Sequence, residues 1–347
     1  MQPINTALCS YGMSGHVFHA PFISVNPNFN LYGVLERTKS ETEKHYPNIK
    51  TFRSLEAMLS DDNIELIVVN TPNITHYGFS KKVIEAGKHL IIEKPFTTTA
   101  VEAEELIKLA KEKNVILSVY HNRRYDSDFL TIKQVLSENL IGDLVEAEFH
   151  YDRFDPLLSY KVHKEKPTAG VGSLYDLGSH LIDQALQLFG MPDALFADLD
   201  SYRPNSKVGD YFDVKLFYSN HRVILKSSYF VREPLPGSTL HGTKGSFIKT
   251  RADIQEKALQ AGLKPNIAHW GEEPETERGL LHTEKDGRII REHIPTATGN
   301  YMTYYDGIFD AIRNHKDVPV TAEDGMLVIK IIEAAFRSNE QKKVVHL

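Results

Sequence analysis

Cysteine occurs once in the 347 residues, at Cys9. A single thiol excludes an internal disulfide and a cysteine-based zinc cluster, and it suits a reducing compartment such as the cytoplasm. Long apolar runs are missing too. Nothing approaches the roughly 20 apolar residues that span a bilayer, and the amino terminus has no charged segment followed by an apolar core. The expectation is a soluble, cytoplasmic protein with no membrane partner. Positive charge is not in excess, since Lys and Arg number 40 against 46 Asp and Glu, a formal net charge of −6. That balance argues against nucleic acid, whose binders concentrate a basic face, and for a small-molecule partner. There are no repeats and no low-complexity tract.

What is present is enough apolar material, 41% of the residues, to bury two cores; a chain of this length is expected to divide into two domains. From residue 4 to about 121, short apolar runs alternate with helix-like stretches, the pattern of strands joined by crossover helices. Residues 4–9, 31–35, 64–70, 89–92 and 115–120 are apolar on successive positions, as parallel strands covered on both faces must be. Residues 75–86 and 99–113 are predicted helices, with Thr75 and Thr99 as N-caps and Gly87 at a C-cap. Beyond Tyr125 a helix over 127–138 leads into runs of alternating polarity at 144–153, 212–218, 223–231 and 246–249, framed by helices at 175–189 and 323–338. That half predicts a mixed or antiparallel α/β domain. The Pro-, Gly- and Glu-rich stretch 262–287 is predicted to be a long surface excursion.

The first strand runs into Ser10-Tyr11-Gly12-Met13-Ser14-Gly15, a G-x-G-x-x-G pattern with serine in first place. Gly12 lets backbone approach a pyrophosphate, Gly15 lets the next helix pack closely on the sheet, and the helix N-terminus offers N–H groups to phosphate. A degenerate glycine motif is a weak signal alone. Its position strengthens it, because it closes the first strand and Glu36 follows 21 residues after Gly15, where a ribose-binding acid is expected. Glu36 favours NAD by accepting from a 2′-hydroxyl. Arg37, Thr38 and Lys39 favour NADP by donating to a 2′-phosphate, and three donors after one acceptor tilt the NAD(P) reading toward NADP.

Thr71-Pro72-Asn73, His76, Ala86-Gly87-Lys88-His89 and Glu93-Lys94-Pro95, followed by Tyr175-Asp176-Leu177-Gly178-Ser179-His180, resemble the Gfo/Idh/MocA oxidoreductases over nearly the whole chain. Tyr120–Asp126 and Tyr175–Asp183 resemble the NADP-dependent scyllo-inositol dehydrogenase branch. The resemblance implies a doubly wound Rossmann domain over residues 1–122. It implies an α/β substrate and oligomerisation domain over 123–347, built on a large, open, mostly antiparallel sheet through which a homodimer or homotetramer forms. It maps the family's lysine to Lys94 and its D-x-x-x-H pair to Asp176 and His180.

Those side chains suit the oxidation of a secondary alcohol on a polyol or sugar. Histidine as a residue type changes charge near neutrality, so His180 suits a base, Asp176 one helical turn away can orient it, and Lys94 can hydrogen-bond the reacting hydroxyl. Pro95 fixes the turn that aims Lys94. The cofactor set is Gly12, Met13, Ser14, Gly15, Glu36, Arg37, Thr38, Thr71, Pro72, Asn73, His76, Glu93, Lys94 and Asn122. Arg124, Tyr151 and Tyr175 are assigned to substrate, against the alternatives of an ion pair for Arg124 and packing for the two rings. Arg123 and Arg153 are weaker candidates for the same role. His16 and His19 have H-x-x-H spacing without convergent acids, so no metal site is expected. In one departure, His163-Lys164 stands where close relatives of that branch carry Trp-Arg, which leaves the polyol open. Two other readings stay open: a catalytically silent cofactor-binding regulator, and a dehydrogenase of an aldose, a dihydrodiol or a sugar acid.

Overall fold

The computed structural model describes residues 2–347, apart from the side chain of His163. The first elements in chain order are β1 (Ile4–Leu8), α1 (Ala20–Val25), β2 (Phe29–Leu35), β3 (Lys50–Phe52), α2 (Leu55–Leu59), β4 (Leu66–Val69), α3 (His76–Glu85), β5 (His89–Glu93), α4 (Ala100–Lys113) and β6 (Leu117–Tyr120). Then come α5 (Ser127–Ser137), β7 (Leu144–His150), α6 (Ser179–Phe189), β8 (Ala194–Asp200), β9 (Tyr211–Phe217), β10 (Arg222–Ser228), β11 (Ser238–Gly242) and β12 (Gly245–Lys249). The chain closes with α7 (Ile254–Gln260), β13 (Gly279–Lys285), β14 (Arg288–Ile294), α8 (Met302–Asn314), α9 (Ala322–Gln341) and β15 (Val345–His346).

Two compact units result. The first holds the chain through Asn122 together with Ile254–Trp270 and Asn300–Leu327; the second holds Arg123–Asp253, Gly271–Gly299 and Val328–Leu347. The first unit's six strands lie in the order β3-β2-β1-β4-β5-β6, and every pair is parallel. All four residues of β4 are buried, as are Leu90, Ile91 and Ile92 of β5, which explains their unbroken apolar runs. α4 starts on a full capping box, with Thr99 Oγ1 accepting from Glu102 N–H at 3.2 Å and Glu102 Oε2 accepting from Thr99 N–H at 3.2 Å. Gly87, at φ +71, sits past the end of α3 where a residue with a Cβ would be strained. Thr75 occupies the N-cap position of α3 but makes no side-chain cap; its hydroxyl lies 2.6 Å from the Pro72 carbonyl instead.

In the second unit nine strands form one sheet in the order β14-β13-β12-β11-β7-β10-β9-β8-β15. Only β7 with β10 is a parallel pair; the remaining pairs are antiparallel. Burial alternates along β9 and β10, with Phe212, Val214, Leu216, Val223 and Leu225 fully buried between half-exposed neighbours.

The structure corrects two expectations. Residues 123–347 are not one block, because Ile254–Trp270 and Asn300–Leu327 belong to the first unit. Aromatic packing draws the second of these segments in. Tyr301, Tyr304 and Tyr305 are fully buried, Tyr305 stacks on Phe22 at 5.6 Å between ring centres, and the Tyr304 hydroxyl donates to Ser118 Oγ at 2.9 Å. Residues 262–287 are not wholly a surface excursion either: Gly279–Lys285 is β13, paired on both sides, whose buried Leu281 and Thr283 face the core. No helix among the described residues is long and apolar enough to cross a membrane.

Candidate active site

In the first unit the site grows from the carboxyl edge of the parallel sheet, beside the point between β1 and β4 where the strand order reverses. Asn70, just after β4, fastens the glycine turn: its Oδ1 accepts from Ser10 N–H at 2.9 Å and its Nδ2 donates to the Ser10 carbonyl at 2.9 Å. A Cβ on Gly15 would collide with the Ser10 carbonyl oxygen and lie 2.9 Å from Asn70 Nδ2, so only glycine lets the helix approach the strand this closely. Gly12 is different. It is exposed, and a Cβ there would meet nothing nearer than Ser10 Oγ at 3.7 Å, leaving open space above the turn. The first helical bond runs from His16 N–H to the Gly12 carbonyl at 2.9 Å. The N–H groups of Met13, Ser14 and Gly15 therefore stand at the start of the helix, ahead of its first bond. This cradle fits a dinucleotide pyrophosphate.

Glu93 ends β5 and is buried. Its Oε1 accepts from the Ser14 hydroxyl and lies 2.9 Å from His19 Nε2, while Oε2 accepts from Lys94 N–H at 3.1 Å. Burial alone would raise its pKa; the His19 and Ser14 hydrogen bonds outweigh that and hold the carboxyl below its ordinary range. The other ring nitrogen of His19 lies 2.7 Å from the Tyr305 hydroxyl, so His19 is committed to protein partners. His16 bonds the Tyr11 hydroxyl at 2.9 Å, and among the described residues no group of three or more His, Cys, Asp or Glu is placed to hold a metal ion. Lys94 follows Glu93, half-buried, with a cis peptide bond to Pro95. His76 lies 2.9 Å from the Pro95 carbonyl and 2.8 Å from the Thr71 carbonyl, tying the loop that carries Thr71, Pro72 and Asn73 to the Lys94–Pro95 turn. Burial lowers the His76 pKa against the pull of both carbonyls. Asn122 is buried just past β6.

Glu36 departs from expectation. Its carboxylate turns back into the chain, Oε1 accepting from Glu41 N–H and Oε2 from Thr42 N–H, each at 3.1 Å, and the residue is buried. Arg37, Thr38 and Lys39 beside it are exposed.

In the second unit a wide helical turn over Leu174–Gly178 precedes α6 and carries Asp176; His180 sits in the first turn of α6. The His180 ring lies 6.2 Å from that of Tyr151, at 31°. Guanidiniums of Arg123, Arg153 and Arg251 lie 5.3, 5.6 and 4.6 Å from the centre of the Tyr151 ring. Arg123 is paired with Asp126 at 3.1 Å and Asp253 at 2.8 Å, and Arg251 lies 3.6 Å from Asp128. Arg124 grips Asp183 with two nitrogens, at 2.9 and 2.5 Å, which favours the ion-pair role over substrate contact. Tyr175 is buried with its ring against Phe336 at 5.8 Å, which favours packing. Lys164 reaches Asp176 at 3.5 Å; the side chain of His163 lies outside the described residues. Sequence reasoning missed Asn70, although its place at the end of β4 was a usable signal. It also missed Arg251, which no motif marks.

The family models agree with this architecture. "Oxidoreductase family, NAD-binding Rossmann fold" matches residues 4–121, and "Oxidoreductase family, C-terminal alpha/beta domain" matches residues 133–347. The chain belongs to the Gfo/Idh/MocA oxidoreductase family. It is an oxidoreductase with an NAD(P)-binding Rossmann domain. Among family members it is 41% identical to scyllo-inositol 2-dehydrogenase (NADP(+)) IolW of Bacillus subtilis strain 168, over 99% of this chain and 96% of that protein. To YdgJ of Escherichia coli K12, an uncharacterized oxidoreductase, it is 36% identical over 99% of both chains. The solved structure of yvaA from Bacillus subtilis superposes with a TM-score of 0.96 at 41% identity, covering 100% of this chain and 99% of that one. One from Bacteroides fragilis NCTC 9343 superposes at 0.91 with 46% identity, covering 99% and 100%.

Proposed function

We propose that the protein is an NADP-preferring dehydrogenase of a secondary alcohol on a polyol or sugar, inositol-like in its run of hydroxyls. The observation that carries this reading is the position of Lys94: directly after β5, at the same carboxyl edge of the sheet where the Gly12–Gly15 turn follows β1. Ligands of doubly wound sheets bind along that edge, so a cation there would be close to a bound cofactor. The 41% identity to an NADP(+)-dependent inositol dehydrogenase supports the substrate class.

A bound nicotinamide would supply the hydride chemistry at the carbinol carbon. The chain supplies the proton chemistry. Lys94 donates a hydrogen bond to the reacting oxygen, His180 takes the hydroxyl proton, and Asp176 orients the imidazole and favours its charged form. The exposed Arg37, Thr38 and Lys39 offer donors to a 2′-phosphate, while the inward Glu36 carboxylate leaves the ribose without the acid that would select NAD. Half-exposed Asp213, Lys215, Ile224 and Lys226 line one face of β9 and β10, and we read that sheet face as the surface for a homodimer or homotetramer.

The test is a panel of inositols, aldoses and sugar acids offered with NADP⁺ and with NAD⁺, read at the nicotinamide absorbance band. Turnover of a polyol or sugar is expected, faster with NADP⁺. Silence with every candidate, with cofactor binding retained, overturns the enzyme in favour of a regulator.

A further inference from the structure

The loop after β2 is held from behind by an arginine that no sequence motif singles out. Arg53, directly after β3, donates through Nη1 to the Glu36 carbonyl at 2.8 Å and to the Lys39 carbonyl, and through Nη2 to Ser40 Oγ at 2.8 Å. One planar guanidinium thus spans both ends of the Arg37-Thr38-Lys39 segment. The Glu36 carboxylate closes the far side by taking the N–H groups of Glu41 and Thr42. Two consequences follow. The acid at the end of β2 serves its own backbone, and the three donor-bearing residues between the anchors are turned out to solvent.

We infer that Arg53 is a positioning residue for cofactor discrimination, which shapes residues 37–39 into a cradle for the 2′-phosphate of an NADP-type nucleotide without itself contacting it. The inference rests on the NADP reading above and deepens it. The physical argument is preorganisation. A loop whose backbone carbonyls are already fixed loses less conformational freedom when Arg37, Thr38 and Lys39 close on a phosphate, because only their side chains remain to be ordered. Arginine suits this role because its fork reaches several acceptors spread in one plane, whereas the three donors of an ammonium all radiate from a single nitrogen.

The test is equilibrium binding by calorimetry of 2′,5′-ADP and of 5′-AMP, which differ only in the 2′-phosphate, to the wild-type protein, Arg53→Met and Arg53→Lys. Wild type is expected to prefer 2′,5′-ADP. Both variants are expected to lose about tenfold in affinity for 2′,5′-ADP, with 5′-AMP affinity changed less than about threefold. A general structural role for Arg53 would move both ligands together, and that result overturns the inference. So does full retention of the preference in Arg53→Lys, which would make the effect one of charge alone; should Arg53→Met fail to fold, the lysine variant carries the test. A wild-type protein with no preference for the phosphorylated nucleotide overturns the NADP reading and the inference with it. Wild-type preference that survives in both variants overturns only the part given to Arg53.

Discussion

His19 Nε2 lies 2.9 Å from Glu93 Oε1, and the same carboxylate oxygen takes the Ser14 hydroxyl, so one buried acid binds the glycine turn to the strand that presents Lys94. Replacing Glu93 by Ala leaves His19 and the Lys94 N–H without this acceptor, and leaving a buried hydrogen-bonding group unsatisfied costs about 1–3 kcal/mol. The expected outcome is a lowered urea midpoint together with weaker NADPH binding. Because the native carboxyl is held below its ordinary range, its contribution is present above the unfolded value and is lost as pH falls through the folded one. A pH series of denaturation midpoints should therefore show wild type and Glu93→Gln converging at acid pH.

Lys94→Ala and His180→Ala separate binding from chemistry. Each removes a group to which the proposed mechanism gives a part in proton transfer, and general acid–base residues are worth roughly 10²- to 10⁴-fold. Turnover should fall by that order in steady-state assays, with NADPH binding by His180→Ala unchanged. Equal loss of cofactor binding in the histidine variant would place His180 with the nucleotide instead.

Gly12→Ala and Gly15→Ala should part company. A Cβ at Gly12 enters open space, so the fold is expected to keep its melting temperature while nucleotide affinity falls. A Cβ at Gly15 strikes the Ser10 carbonyl, so both stability and binding fall. Differential scanning calorimetry beside nucleotide titration reads the contrast.

Cys9 is buried, and burial pushes its thiol up to about 12. The native protein should react negligibly with a thiol reagent at pH 8, and one thiol should appear on denaturation.

Much of the first unit was legible because strands buried on both faces write unbroken apolar runs, as at residues 64–70 and 89–92. β8, β11 and β14 were not, because strands with one wet face interleave charged residues such as Asp198, His241 and Arg291 with their apolar ones. The glycine turn could be read from spacing. The direction of the Glu36 carboxylate could not, since it is decided by two backbone N–H groups five and six residues later that compete with any ribose. The Arg124 and Tyr175 assignments show the same limit: residue type admits substrate contact, and only Asp183 and Phe336 reveal what each side chain touches.

The tyrosines at and just before the start of α8 have a consequence for synthesis. Tyr301, Tyr304 and Tyr305 complete the hydrophobic interior of a unit whose first strand begins at Ile4. A ribosome therefore releases the nucleotide-binding segment, Met1–Asn122, long before it makes the residues that seal it. Phe22, Phe29 and Tyr120 must wait with apolar surface bare until the final seventh of the chain emerges, which makes the nascent amino-terminal segment a natural client for a chaperone that holds exposed aromatic surface.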